Sequence, residues 1–159
     1  MIFVTVGSTS FDELIMKVDE LIETKFIKDE VIAQIGRGEY IPKYMKWFRF
    51  AKSLDSYIAQ ADLIITHGGA GTLYEILHFK KRAVAIMNPK AINNREFPEE
   101  MHRRHMIILC ENLENLEKCI LKALSSKFKM YVPPRCEIHK VITRYLDQLE
   151  KLKIGTWLN

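Results

Sequence analysis

Short apolar runs that alternate with segments of helical periodicity restrict the fold of this chain more than any other feature. The runs 2–6, 31–35 and 83–87 have the length and the continuous apolar character of buried strands. Between the first two, apolar residues recur at helical spacing: Leu14, Ile15, Val18, Leu21 and Ile22. The same interpretation predicts strands at 46–50, 62–66 and 106–110, and helices at about 53–61, 72–79, 98–105, 113–124 and 136–153. The alternation predicts an α/β, Rossmann-like parallel sheet with helices on both faces, formed by residues 1–159 as one domain.

Composition limits the classes of function. The chain has 159 residues, 48% hydrophobic and 28% charged, as in ordinary globular proteins. No stretch approaches the roughly 18 apolar residues that span a bilayer, and residues 1–7 lack the basic flank of a signal peptide, so we expect a cytoplasmic protein. The formal charge of +4 suits an anionic ligand or a membrane surface. No basic run with interleaved aromatic residues indicates nucleic acid.

The pattern of potential ligands argues against a metal centre. The three cysteines, Cys110, Cys119 and Cys136, contain no C-x-x-C pair, and we expect them to be buried, reduced thiols. No H-E-x-x-H motif or acidic cluster marks a metal, and no Ser/His/Asp or Cys/His order stands out. We therefore predict no metal and no cofactor.

A glycine-rich turn, His67-Gly68-Gly69-Ala70-Gly71-Thr72, lies between a predicted strand and a predicted helix. Ligands of parallel α/β sheets bind beyond the carboxyl ends of the strands, where this turn is expected. Glycines allow a phosphate to approach backbone N–H donors, and a helix N-terminus adds a partial positive charge. His67 and Thr72 can add side-chain donors. The turn matches neither the Walker loop nor the G-x-G-x-x-G fingerprint, and we interpret it as a diphosphate site.

Glu75 lies three residues beyond Thr72 and permits two interpretations. Its carboxylate can accept hydrogen bonds from a ribose diol at the mouth of the site. Alternatively, Thr72 and Glu75 form a capping box, with Thr72 as the N-cap of the helix. The spacing does not choose between them.

A family resemblance extends this interpretation. Residues 62–75 resemble the donor-site signature of GT-B glycosyltransferases, and segments 4–9, 11–15 and 34–36 resemble the C-terminal domain of glycosyltransferase family 28. The likeness covers about residues 1–125. It is strongest to the short free-standing form, the catalytic subunit of the two-part transferase that adds the second N-acetylglucosamine to a polyprenyl-diphosphate lipid. Bacterial exopolysaccharide glycosyltransferase subunits are similar.

The resemblance implies roles for individual residues. It implies a first loop facing the diphosphate, formed by Gly7, Ser8 and Thr9. It implies phosphate contacts along the glycine turn, from His67, Gly68, Gly69, Ala70, Gly71 and Thr72. It also implies that Glu75 binds the ribose hydroxyls, and that the uracil lies against backbone near the end of the sheet.

The sequence departs from the family pattern after the strand at 83–87. The family usually has an Asn/Asp-His-Gln type motif whose glutamine contacts the donor sugar, and this chain has Asn93-Asn94-Arg95-Glu96 instead. We expect Asn94, Arg95 or Glu96 at the sugar-contacting position. The identity of the sugar stays open.

Three further features have two interpretations each. The cluster from His102 to His105 is either a solvated helix face or a positive rim that meets lipid phosphate or the donor. Arg37 lies in a predicted loop and either stays in solvent or approaches the diphosphate. The C-terminal helix at about 136–153 has an apolar stripe, which either packs on this chain's own sheet or docks to a partner. The stripe consists of Ile138, Val141, Ile142, Tyr145, Leu146, Leu149 and Leu152. Trp157, beyond it, would be exposed unless something covers it.

These features predict the donor-binding, catalytic subunit of an inverting hexosyltransferase that uses UDP-N-acetylglucosamine or a related UDP-sugar. The resemblance implies a membrane-anchored partner that supplies the acceptor site and the general base, a lipid-linked glycan acceptor, and peripheral location at the cytoplasmic membrane face. The alternative is a non-catalytic nucleotide-sugar-binding or assembly protein, and a homo-oligomer stays open. A phosphate-binding enzyme of unrelated chemistry is a third possibility.

Overall fold

In the part of the chain that the structure describes, six parallel strands form one sheet, in the order β3-β2-β1-β4-β5-β6. The structure is a computed structural model that describes residues 1–90, 95–133 and 135–156, with side chains described up to residue 149. The strands are β1 (Ile2–Thr5), β2 (Val31–Gln34), β3 (Lys46–Phe48), β4 (Leu63–Thr66), β5 (Ala83–Ile86) and β6 (Ile108–Cys110). The helices are α1 (Asp12–Glu23), α2 (Asp55–Gln60), α3 (Ala70–His78), α4 (Glu96–Arg103), α5 (Leu116–Ser125) and α6 (Ile138–Thr156). A 3₁₀ turn, Leu113–Asn115, precedes α5.

The predicted parallel sheet with helices on both faces is confirmed. On one face α1 and α5 cover the sheet, with Leu14, Ile15 and Ile120 among the buried side chains. On the other face lie α2, α3 and α4, whose buried residues include Ile58 and Ile76. Because β1, β4 and β5 are buried along their whole length, they are continuous apolar runs rather than alternating ones.

Some boundaries differ from those expected. The third strand ends at Phe48, and Phe50, which was predicted to belong to it, is 55% exposed. The helix after the glycine turn begins at Ala70, two residues earlier than predicted.

The register of the three central strands brings polar residues to one level. Thr5, the last residue of β1, is opposite Gln34 at the end of β2 and opposite Thr66 at the end of β4. All three side chains are buried. From β1 the chain continues to β2 and β3 on one side of β1, and later adds β4, β5 and β6 on its other side. The strand order therefore reverses at β1. Such reversal points are where ligands bind in open α/β sheets.

A buried carboxylate holds the long connection between β2 and β3. Asp19 of α1 is 2% exposed and accepts hydrogen bonds from the Tyr40 hydroxyl (2.7 Å), the Lys43 N–H (2.8 Å) and the Tyr44 N–H (2.9 Å). The bond to Asp19 is the main reason that the pKa of Tyr40 is raised to about 12. Three donors offset the cost of removing this charge from water.

We expect Asp19→Ala to lower the free energy of unfolding by about 2–4 kcal/mol, because two backbone N–H groups and a phenol lose a charged acceptor. Denaturant unfolding measures the loss. Glu20→Ala, on the exposed side of the same helix, is the matched control and should cost less than about 0.5 kcal/mol. Equal losses in the two variants would contradict this role for Asp19.

Candidate functional site

A cleft of about 410 Å³ lies beyond the carboxyl ends of β1 and β2, beside the start of α3. The first loop contributes Gly7 and Ser8, and α3 contributes Thr72 and Glu75. The remaining lining residues are Gln34 and the segment Ala51, Lys52, Ser53, Leu54 and Asp55. Four residues predicted from the sequence for a single site therefore line one cavity.

The N-terminus of α3 carries hydrogen-bond donors without intrahelical partners. The first helical bond runs from the Leu73 N–H to the Gly69 carbonyl, at 3.0 Å. The N–H groups of Ala70, Gly71 and Thr72 precede it and have no acceptor within the helix. Acidic residues are absent from the first turn of α3, whereas the first turn of α1 has two. The positive end of the α3 dipole is therefore open to an external anion.

The capping-box interpretation of Thr72 and Glu75 is wrong. Gly69 is the N-cap of α3, and among the described residues no side chain caps this helix end. Thr72 therefore occupies the third helical position, and Glu75 lies one turn further on. Glu75 is exposed in the cleft, so both side chains are available to a ligand.

His67 packs underneath two loops rather than projecting into the cleft. The side chain is 6% exposed, and its Nδ1 lies 3.4 Å from the Thr5 carbonyl oxygen. A Cβ atom added to Gly7 would lie 3.0 Å from His67 Cε1, and one added to Gly69 would lie 2.9 Å from the same atom. Burial lowers the pKa of His67, with a smaller opposing effect from the bond to Thr5, so the ring is neutral at pH 7. The geometry makes His67 a packing centre for both glycine loops.

The first loop is tied to the sheet by polar side chains. The Thr5 hydroxyl donates to Gln34 Oε1 at 2.7 Å and accepts from the Gly7 N–H at 3.1 Å. Gly7 has a φ of 64°, which permits the turn. Thr9, predicted to face the diphosphate, instead donates its hydroxyl to the Val6 carbonyl at 2.8 Å and does not line the cleft.

Gln34 and the segment 51–55 line the cleft although they were not expected from the sequence. A usable signal was present for Gln34, because a lone polar residue closes an otherwise apolar strand. For the segment 51–55 we find no comparable signal. It reaches the cleft only because β3 lies beside β2 in the sheet.

The predicted sugar-contacting residues are only partly described. Asn93 and Asn94 lie outside the described residues. Arg95 precedes α4 and pairs with Glu99 at 3.2 Å, and Glu96 is the first residue of that helix. Neither side chain lines the 410 Å³ cleft, and their contact with a sugar stays a prediction.

Other candidate residues lie elsewhere. Arg37 is exposed and is not among the lining residues of the cleft. His102 is half-buried, and its Nδ1 accepts from the Leu109 N–H at 3.1 Å. Arg103 and Arg104 both pair with Glu100. The cluster from His102 to His105 lies near the amino end of β6, so it is remote from the carboxyl-end cleft.

The three cysteines differ in their exposure to solvent. Cys110 is buried, and burial is the main cause that raises its pKa to about 12. Cys119 is half-buried, and Cys136 is exposed, contrary to expectation. Within residues 1–90, 95–133 and 135–156, no three His, Cys, Asp or Glu side chains are grouped so as to hold a metal ion. Over the same residues, no helix combines the length and apolar character needed to cross a bilayer.

Gly69 and Gly71 provide a test of the packing around His67. We expect Gly69→Ala to lower the free energy of unfolding by about 1–3 kcal/mol, because the new methyl group overlaps the buried ring. At Gly71 nothing lies within 4 Å of an added Cβ, so Gly71→Ala should leave stability unchanged or raise it by up to about 1 kcal/mol. Thermal and denaturant unfolding of both variants measure the difference. Similar changes in the two would argue against the packing role of His67.

Comparison with known proteins provides sequence relatives. The chain is 34% identical over 122 residues to the UDP-N-acetylglucosamine transferase subunit ALG13 of Mus musculus, and 36% identical over 122 residues to that of Homo sapiens. The matches cover 68% and 69% of this chain. They cover only 10% and 11% of the mammalian proteins, so the chain spans about a tenth of their length.

Solved structures share the fold. MurG of Acinetobacter baumannii matches with a TM-score of 0.63 and 17% identity, over 78% of this chain and 41% of MurG. A solution NMR structure of ALG13 matches with a TM-score of 0.57 and 18% identity, over 83% of this chain and 89% of that one. The sheet is thus that of the C-terminal, Rossmann-like half of GT-B glycosyltransferases. The family model of the glycosyltransferase family 28 C-terminal domain matches residues 1–146, and the chain belongs to this family.

Proposed function

We propose that this chain binds the nucleoside-diphosphate end of UDP-N-acetylglucosamine, or of a related UDP-sugar, and is the donor-binding catalytic subunit of an inverting glycosyltransferase. The observation that carries the proposal is the open N-terminus of α3, which faces the first loop across the cleft. Family membership and the names of the mammalian relatives support the same activity.

The diphosphate is assigned to the space between α3 and the first loop. The free N–H groups of Ala70, Gly71 and Thr72 supply donors, and the helix dipole adds positive potential. Gly71 has open space where a Cβ would be, so a phosphate oxygen can approach its backbone closely. Ser8, which is exposed at the opposite wall, supplies a further hydroxyl.

The nucleoside is assigned to the remainder of the cleft. The Glu75 carboxylate can accept hydrogen bonds from both hydroxyls of a ribose attached to that diphosphate. Beyond it, the segment 51–55 forms the wall of the cleft at the β3 side, where the base would lie against backbone. A volume of about 410 Å³ is of the size of small-molecule sites.

The chemistry that this half can supply is stabilisation of the leaving group. In an inverting transfer the acceptor oxygen attacks the anomeric carbon while the bond to the diphosphate breaks. Negative charge then develops on the phosphate oxygens, and donors already aimed at that position stabilise it without reorganising. Among the described residues we assign no general base, and we propose that the partner subunit supplies it.

The apolar stripe of α6 supports a partner. Among the large side chains exposed to solvent are Ile138, Val141, Ile142, Tyr145, Leu146 and Leu149, with exposed fractions between 39% and 64%. These six side chains of the stripe therefore do not pack on this chain's own sheet. A contiguous apolar surface of this kind is typical of a protein interface. We assign it to the acceptor-binding subunit, which we propose to be membrane-anchored and to present a lipid-linked glycan at the cytoplasmic face.

Titration calorimetry of the purified chain tests the donor site. We expect UDP and UDP-N-acetylglucosamine to bind more tightly than ADP or GDP. Glu75→Gln should weaken UDP binding about tenfold or more, because hydrogen bonds to a charged acceptor contribute about 1.5–3 kcal/mol. Gly71→Ala should weaken it at least as much, since the methyl group occupies the approach of the phosphate.

Glu20→Gln on α1, far from the cleft, is the matched control and should bind UDP like the wild type. Because Gly71→Ala is expected to retain full stability, its loss of binding cannot come from unfolding. UDP binding that is unaffected by both cleft substitutions would refute the assigned site. Binding without sugar transfer by the complex with its partner would favour the non-catalytic alternative.

Copurification with the co-expressed partner tests the role of α6. We expect Ile142→Asp combined with Leu146→Asp to abolish copurification, because two charges would be buried in an apolar interface. Thr143→Asp combined with Gln148→Asp adds the same charge outside the stripe and should leave the complex intact. Both double variants should bind UDP like the wild-type chain. Loss of the complex in both, or in neither, would contradict docking through the stripe.

A further inference from the structure

A pair of clefts lies at the opposite edge of the sheet from the proposed donor cleft. They adjoin each other at the amino ends of β5 and β6, with volumes of about 360 Å³ and about 380 Å³, and share Ser126, Lys127 and Phe128. The basic lining residues of the first are Lys80, Lys81, Arg82, Lys127 and Lys129. Those of the second are Arg103, Lys122 and Lys127, with His102 and His105. No aspartate or glutamate lines either cleft.

Most of these cations have no acidic partner among the side chains that the structure describes. Lys81 donates to the Ala59 carbonyl at 2.6 Å, and Arg103 pairs with Glu100. Asp62 lies near Lys81 and Arg82, but its carboxylate binds the N-terminal amino group at 2.7 Å. The others form no ion pair within the described part of the chain, and we call them the basic surface: Lys80, Arg82, Lys122, Lys127 and Lys129.

Apolar side chains are exposed beside this charge. Met130, which lines the first cleft, is 67% exposed, and Val132 is 79% exposed. Both belong to the extended segment that carries Lys127 and Lys129. Lysine side chains next to exposed apolar residues are the combination that binds at the interface of a bilayer, where ammonium groups meet anionic headgroups and apolar groups enter the acyl boundary.

The residue types favour a membrane over a single tightly bound ligand or a nucleic acid. Four of the five residues of the basic surface are lysines, which act as hydrated point charges rather than as rigid forks for one phosphate. Base stacking needs exposed aromatic faces. Here Phe128 is half-buried against the core, and Tyr131 packs edge-on against Tyr74, with ring centroids 5.7 Å apart.

We propose that the basic surface, with Met130 and Val132, docks this chain onto a membrane that carries anionic lipids. Each lysine or arginine near such a membrane strengthens binding roughly fivefold, so the five charges together can hold a protein at the membrane without a lipid anchor. Because the surface lies at the amino edge of the sheet, docking leaves the carboxyl-edge cleft uncovered. The proposal does not depend on the assignment of the donor site.

Sedimentation of the full chain with vesicles tests this proposal. We expect binding to phosphatidylcholine vesicles with about 30% phosphatidylserine, but not to phosphatidylcholine alone, and a steep loss as salt rises from about 50 mM to about 300 mM. Combining Lys80→Gln, Lys127→Gln and Lys129→Gln should lower the partition coefficient roughly 100-fold. The matched control combines Lys28→Gln, Lys43→Gln and Lys118→Gln, which removes the same charge elsewhere, and should stay within about threefold of the wild type.

The apolar contribution is tested separately with Met130→Ser and Val132→Ser combined. This variant should bind anionic vesicles several-fold more weakly, yet elute from a heparin column at the wild-type salt concentration, because heparin offers charge without an acyl layer. Equal unfolding midpoints show that the variants are folded. The proposal is overturned by equal binding to neutral vesicles, by equal losses in the two lysine triples, or by unchanged vesicle binding of the serine variant. Tighter binding to duplex RNA than to anionic vesicles would also overturn it.

Discussion

The contact of the His67 ring with Gly7 and Gly69 organises the site. The loops after β1 and β4 are far apart in sequence, and the His67 ring lies against a glycine of each. The imidazole fills the space between them, and its neutral, buried state removes the need for a counter-charge. Both glycines are required because a Cβ at either position would crowd the ring. The base of the cleft is therefore formed by one histidine, packed against two glycines that lack a Cβ.

The open helix end depends on this arrangement. Gly69 is both a packing partner of His67 and the N-cap of α3, so the residue that ends the loop has no side chain with which to cap the helix. Thr72, in the first turn of α3, lines the same cleft as Gly7 and Ser8. A serine or aspartate at the N-cap position would stabilise the helix by about 1 kcal/mol but would occupy the donors that an anion needs. Local helix stability and anion binding thus compete at this position.

The proposed donor cleft, the basic surface and the apolar stripe of α6 lie at different places on the chain. Because the strands are parallel, one edge carries the strand-to-helix loops that form the proposed donor cleft, and the opposite edge carries the helix-to-strand loops with the basic surface. The exposed stripe of α6 is a third surface, which neither edge covers. The three proposed contacts, with a donor, a membrane and a partner, therefore use separate surfaces of the chain.

The sequence by itself determined the strand and helix order, the α/β class and the location of the glycine turn, because buried strands and amphipathic helices impose their periods locally. It also identified Gly7, Ser8, Thr72 and Glu75, which the fold brings to one cleft. It did not distinguish a capping box from a ligand carboxylate, since both require the same spacing from Thr72 to Glu75. Only the tertiary structure decided that Gly69 is the N-cap, that His67 is buried under the loops, and that Gln34 and the segment 51–55 complete the cleft. These outcomes depend on the pairing of β2 with β1 and of β3 with β2. Such long-range contacts produce no periodic pattern in the sequence.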